Sequence, residues 1–299
     1  MSPMLSCTLT KLQLKNPLIL ASGIMGSSAS ALLRMARAGA GAVVTKSLGL
    51  LPREGYPNPT VIEVEGGLLN AMGLPNPSAE AFAEDVERVK QEGVVVIASI
   101  FGSTPEEFAL AASVLSPHAF ELNLSCPHAE GYGADIGADP KAVREVVCAV
   151  KDVVDVPVWA KLTPNVSSIS AIGLAAQEGG ADAVVAINTL KAMAIDIHSG
   201  HPILANRFGG LSGAAIKPVG VRCVYELYEV LDIPIIGVGG VNEWQDVVEY
   251  MMAGARAVQI GSAVVRDAEV FSHIATGLEQ FLKERGLTLE DITGLAHRV

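Results

Sequence analysis

Eight short β-branched runs, each followed by a polar or glycine-containing turn and then a longer segment with helical spacing, restrict this chain to few architectures. The runs are PLILA (17–21), GAVVTK (41–46), VVVIAS (94–99), AFELNL (119–124), PVWAKL (157–162), AVVAI (183–187), IPIIG (233–237) and AVQIG (257–261). The helical segments between and after them are 28–38, 79–91, 104–114, 139–152, 168–178, 217–231, 243–253 and 267–285. Serines open the first, and Asp139 followed by Pro140 reads as a cap with proline at the first helical position. Eight strands alternating with helices predict a parallel α/β TIM (β/α)8 barrel, and 299 residues hold one such domain, 1–299, with room for extra loops.

Two connections exceed an ordinary barrel loop: 47–78, with a small hairpin expected around 60–70, and 188–216, ending in GGLSG. Both leave the C-terminal end of a strand, the side on which barrel sites are built. Gly239 and Gly240 follow the seventh run, and Gly261 and Ser262 close the eighth. Glycine lets backbone approach an anion closely, and the loops after strands seven and eight are the usual phosphate grip of a barrel. The alternative is that these glycines serve turns only. Sugar phosphates and flavin mononucleotide would both suit such a grip.

Polar residues converge on the same end: Lys46, Asn123, Lys161, Asn188 and Thr189. A lone lysine at a strand end often snorkels to solvent, whereas two lysines with two amides suit an anionic or heterocyclic ligand. Cys126, after the fourth run and before Pro127 and a glycine-rich tract, stands apart from Cys7, Cys148 and Cys223. Position alone leaves it open between a thiolate base and an incidental thiol, and leaves His128 open between a ligand contact and a loop histidine.

Composition excludes several classes. A formal charge of -11 argues against wrapping nucleic acid. Four scattered cysteines without a CxxC pair give no iron–sulfur, zinc or disulfide framework, and the histidines form no short-range metal motif. No apolar run has the length of a membrane span, and the N-terminus lacks signal-peptide features, so a cytoplasmic location is expected.

The segments NPLILASG (16–23), TKS (45–47), NAMGLPNP (70–77), NLSCP (123–127), KLTPN (161–165), INT (187–189), GGLSG (209–213), GVGG (237–240) and IGSA (260–263) resemble the class 1 dihydroorotate dehydrogenase family, particularly its 1B catalytic subunits. NAMGLPNP and NLSCP are the diagnostic pair. The resemblance implies FMN across the barrel mouth, bound by Ser22, Lys46, Ser47, Ser99, Asn123, Lys161, Ile187, Gly213, Gly239, Gly240, Gly261 and Ser262. It implies a substrate pocket of Lys46, Asn70, Ala71, Met72, Gly73, Leu74, Asn123, Asn188 and Thr189, with Cys126 as the base and Lys161 supporting the reduced flavin. The implied reaction oxidises dihydroorotate to orotate in de novo pyrimidine biosynthesis. Two positions depart from the common pattern: Ser99 and His128 stand where asparagine is frequent in the family.

The 1B likeness further implies a separate electron-transfer subunit with FAD and a 2Fe-2S cluster that feeds NAD, around a homodimeric core in a heterotetramer. A fumarate-using class 1A enzyme and an FMN-dependent dihydropyrimidine dehydrogenase are the nearest alternatives. Further off stand a phosphosugar barrel and a flavin-binding subunit without chemistry of its own.

Overall fold

The computed structural model describes residues 3–124 and 136–298. The eight expected runs form a closed parallel barrel: β1 (Leu18–Leu20), β2 (Ala42–Val44), β3 (Val96–Ile100), β4 (Ala119–Asn123), β5 (Val158–Leu162), β6 (Ala183–Ala186), β7 (Ile235–Val238) and β8 (Ala255–Ile260), each beside its neighbours in sequence, with β8 closing on β1. The predicted TIM barrel is therefore present. β2 stops at Val44, short of the run 41–46, so Lys46 lies beyond the end of β2 rather than ending it.

Helices cover the outside: α1 (Ala29–Arg37), α2 (Ala79–Gln91), α3 (Pro105–Ser113), α4 (Pro140–Lys151), α5 (Ile169–Glu178), α6 (Lys217–Tyr228), α7 (Trp244–Met252) and α8 (Val270–Arg285). Ser28, Ser78, Thr104, Asp139 and Ser168 each accept a hydrogen bond from a first-turn N–H, satisfying donors a helix cannot pair internally. The helix expected over 267–285 begins at Val270, after a separate turn at Ala263–Arg266, and α6 stops at Tyr228, short of 231.

Strand side chains alternate between the helix layer and the barrel interior. On β5, Val158, Ala160 and Leu162 pack against helices, whereas Trp159 joins Ile19, Val44, Ile97, Val185 and Ile236 inside. The same alternation aims Glu121, Lys161 and Gln259 inward, one layer nearer the C-terminal mouth than Ala119, Trp159 and Ala257. A hairpin of Cys7–Leu9 and Leu12–Leu14, which periodicity did not predict, carries Leu9 and Leu14 into that interior cluster.

Both long connections fold. The hairpin expected around 60–70 is Val61–Val64 paired with Gly67–Asn70. It joins Phe208–Ser212 and Leu190–Met193 in a four-stranded antiparallel sheet, with Asn70 opposite Gly210. Leu69, Ala71 and Leu204 form a small core beneath it. Among the described residues, no helix is long and apolar enough to cross a membrane.

Candidate active site

The barrel mouth and this sheet enclose a cavity of about 570 Å3. Its lining includes Ser22, Lys46, Ser47, Ser99, Asn123, Lys161, Ile187, Gly213, Gly239, Gly240, Gly261 and Ser262, together with Asn70, Ala71, Met72, Gly73, Leu74, Asn188 and Thr189. The two residue sets assembled from separate motifs thus share one space. Cys126 and His128 lie outside the described residues.

At the cavity floor the Lys161 ammonium donates to the Glu121 carboxylate at 3.2 Å and to the Gln259 amide oxygen at 3.0 Å. Glu121 and Gln259 are fully buried and Lys161 is 6% exposed, so this charge is fixed by partners rather than by water. Neither Glu121 nor Gln259 was among the expected site residues. The signal was present as a polar residue set among apolar ones, Glu121 in AFELNL and Gln259 in AVQIG.

A polar chain crosses the strand ends on the next side. The Ser47 hydroxyl lies 2.9 Å from that of Ser99 and accepts from the Asn123 amide at 3.1 Å; the Asn188 amide donates to the Asn123 oxygen at 3.3 Å. Ser22 donates to the Thr45 carbonyl at 2.8 Å. Asn188 in turn accepts from the Thr189 N–H at 2.8 Å. Ser99 is fully buried, so the position where the family often has asparagine is filled by a hydroxyl paired to Ser47. Asn165, from KLTPN, also reaches the cavity and donates to the Thr189 carbonyl at 3.2 Å.

Lys46 also lines the cavity as a half-buried cation, and burial pulls its pKa below the ordinary lysine value. Cys7 and Cys223 are remote packing thiols that desolvation pushes up to about 11, which keeps them protonated at neutral pH. Tyr56, Val61 and Leu68 add an apolar side to the cavity from the 47–78 connection.

The far end is built from backbone. Gly213, Gly239 and Gly240 have φ of +104°, +127° and +71°, in a region that disfavours side chains. A Cβ on Gly240 would lie 2.7 Å from the Lys217 Cβ and 2.8 Å from the Gly213 carbonyl oxygen, whereas one on Gly261 would meet only Ala21, at 3.5 Å. The result is a stretch of glycine main chain lining the same cavity as two lysines and several amides.

An eight-stranded parallel barrel with all these groups at its C-terminal mouth defines a (β/α)8 barrel whose mouth holds one cavity lined by lysine, amide, hydroxyl and glycine main-chain groups. Residues 4–282 match the family model described as dihydroorotate dehydrogenase. The chain belongs to the dihydroorotate dehydrogenase family.

Among curated relatives, "Dihydroorotate dehydrogenase B (NAD(+)), catalytic subunit" from Methanocella arvoryzae is 59% identical over 296 residues, covering 99% of this chain and 98% of that protein. Proteins of the same description from Methanosarcina mazei and Pyrococcus abyssi are 60% and 56% identical, covering 98% and 99% of this chain and 95% and 100% of theirs. A crystal structure of DHODH from Eimeria tenella, in complex with ferulenol, superposes with a TM-score of 0.88 at 20% identity, over 100% of this chain and 90% of that one. At that identity the likeness concerns the fold.

Proposed function

We propose that this chain is the catalytic subunit of a class 1B enzyme, oxidising dihydroorotate to orotate with FMN held across the barrel mouth. What carries the reading is the convergence on one cavity of every described residue that the family motifs imply. The cavity fits the cofactor on its own terms. About 570 Å3 is of the size that small-molecule and cofactor sites occupy, one end is glycine backbone suited to a phosphate, and the floor offers Lys161 and amide groups to a polar ring edge.

In this reading Gly213, Gly239, Gly240, Gly261 and Ser262 hold the phosphate end, and Ser22, Lys46, Ser47, Ser99, Asn123, Lys161 and Ile187 surround the ring system. Bound FMN supplies a two-electron acceptor for the hydride that leaves C6 of dihydroorotate. Lys161, anchored by Glu121 and Gln259, presents a fixed positive charge where the ring gains negative charge. Lys46 offers its ammonium to the substrate carboxylate. Asn70, Asn123, Asn188 and Thr189 orient the pyrimidine edge through donors and acceptors, and Ala71, Met72, Gly73 and Leu74 wall it in. Cys126, as thiolate, takes the C5 proton; loss of one proton and one hydride leaves the C5–C6 double bond of orotate.

The relatives named above are catalytic subunits described with NAD(+). On that basis a partner subunit carrying FAD and a 2Fe-2S cluster passes electrons from this chain to NAD, around a homodimeric core in a heterotetramer. A cytoplasmic location follows from the same reading.

The deciding experiment mixes the anaerobic, FMN-loaded chain with dihydroorotate in a stopped-flow spectrometer, with dihydrouracil in parallel. Bleaching of the flavin band by dihydroorotate alone is expected. Bleaching by dihydrouracil alone would transfer the chain to a dihydropyrimidine dehydrogenase activity, and bleaching by neither would overturn the substrate assignment. Rapid reoxidation by fumarate would favour the class 1A acceptor over NAD.

A further inference from the structure

Tyr250, on α7, is fully buried and donates its hydroxyl to the Gly239 carbonyl at 2.7 Å. Its ring occupies room that glycines leave: a Cβ on Gly220 would lie 1.9 Å from the hydroxyl oxygen, and one on Gly237 would lie 2.5 Å from the ring. The next carbonyl is held as well, because the Asn242 side chain donates to Gly240 at 2.8 Å. Asp246 secures the following turn, accepting from the N–H groups of Asn242 and Glu243 at 2.8 and 3.0 Å and from Lys217 at 2.7 Å.

A planar trans peptide points its C=O and the following N–H in opposite directions. Anchoring the Gly239 carbonyl on Tyr250 turns the Gly240 N–H away from α7, and anchoring the Gly240 carbonyl on Asn242 fixes the Val241 N–H in the same manner. Gly239, Gly240 and Val241 all line the cavity, and neither of these two N–H groups meets an acceptor among the described residues.

We propose that Tyr250 and Asn242 are positioning residues for phosphate recognition: without touching the ligand, they hold two main-chain donors aimed at the phosphate and so make the site prefer a phosphorylated flavin over its free alcohol. The inference rests on the reading of the cavity as an FMN site. It assigns these two side chains a task in ligand selection rather than in barrel stability alone.

The test is equilibrium binding of FMN and of riboflavin, which lacks the phosphate, to the whole chain stripped of flavin, followed by quenching of flavin fluorescence. The wild-type chain binds FMN more tightly. In Tyr250→Phe and in Asn242→Ala the Kd for FMN rises about tenfold, the worth of one lost hydrogen bond, while the Kd for riboflavin stays within about twofold. A purely structural role would weaken both ligands in proportion, and that result, or an unchanged preference for FMN, would overturn the proposal while leaving the FMN site standing. Equal affinity of the wild-type chain for both flavins would overturn the proposal together with the phosphate reading beneath it. Asn242 is exposed, so Asn242→Ala carries the test should Tyr250→Phe not fold.

Discussion

The Lys161 ammonium and the Glu121 carboxylate form an ion pair at 3.2 Å inside the barrel, with 7% and 0% of their side chains exposed. The pair sits at the cavity floor and leaves one of the three ammonium protons free of Glu121 and Gln259, since each of those takes one. Removing one member of a buried pair strands the other. Lys161→Met is therefore expected to lower stability by about 3–5 kcal/mol, read from urea unfolding. Adding Glu121→Gln to it should restore much of that loss. Flavin reduction by dihydroorotate should remain slowed in both, roughly 100-fold or more, because the charge facing the ring is gone.

Lys46 gives a pH-dependent prediction. Its folded pKa lies below the unfolded value because burial disfavours the ammonium. Charge on Lys46 therefore costs stability at pH below the ordinary lysine pKa, and the cost fades as pH rises toward it. A bound carboxylate reverses the preference, so orotate binding takes up protons where Lys46 is partly neutral, and affinity falls as pH rises through the lowered pKa. Lys46→Met should abolish that limb and weaken orotate about tenfold, without lowering the melting temperature of the flavin-free chain. Calorimetry in two buffers of different ionisation enthalpy measures the proton uptake directly.

Cys126 is assigned from the NLSCP motif and lies outside the described residues. Cys126→Ser should slow dihydroorotate oxidation by about 100- to 10,000-fold at neutral pH, the usual worth of a general base, and move the remaining activity to higher pH because a hydroxyl is the weaker acid. FMN content, read from absorbance, should be unchanged. Full activity at neutral pH would remove Cys126 from the mechanism.

Two glycines with the same φ of +71° separate backbone strain from loss of the site. Gly93 has nothing within 4 Å of an added Cβ, whereas Gly240 would drive one to 2.7 Å from Lys217 and 2.8 Å from the Gly213 carbonyl. Gly93→Ala should cost stability of roughly 1–3 kcal/mol from its backbone alone and retain FMN through gel filtration. Gly240→Ala should emerge without flavin.

How legible the site was depends on the kind of contact. Lys46, Asn123, Lys161, Asn188 and Thr189 stood out because each lies at, near or just after the end of a strand-like run, and a strand end is a local property. Glu121 and Gln259 were visible as polar residues within strands, yet nothing local said that they meet, being 138 positions apart. Tyr250 gave no signal at all. On α7 it reads as one more apolar position, and its hydroxyl acquires a partner only when β7 and α7 pack together.

The sequence by itself determined the eight strands, the helices that cover them and the glycine-rich turns after β7 and β8, because a two- or 3.6-residue period, a capping side chain and a glycine turn act over a few residues. Tertiary structure alone decided the roof of the cavity. Phe208–Ser212 carries mixed side chains with no clean alternation and is held between Leu190–Met193 on one side and Gly67–Asn70, about 140 residues earlier, on the other. Such pairings are selected by the burial and hydrogen bonding gained across the closed barrel, and no window of neighbouring residues contains them.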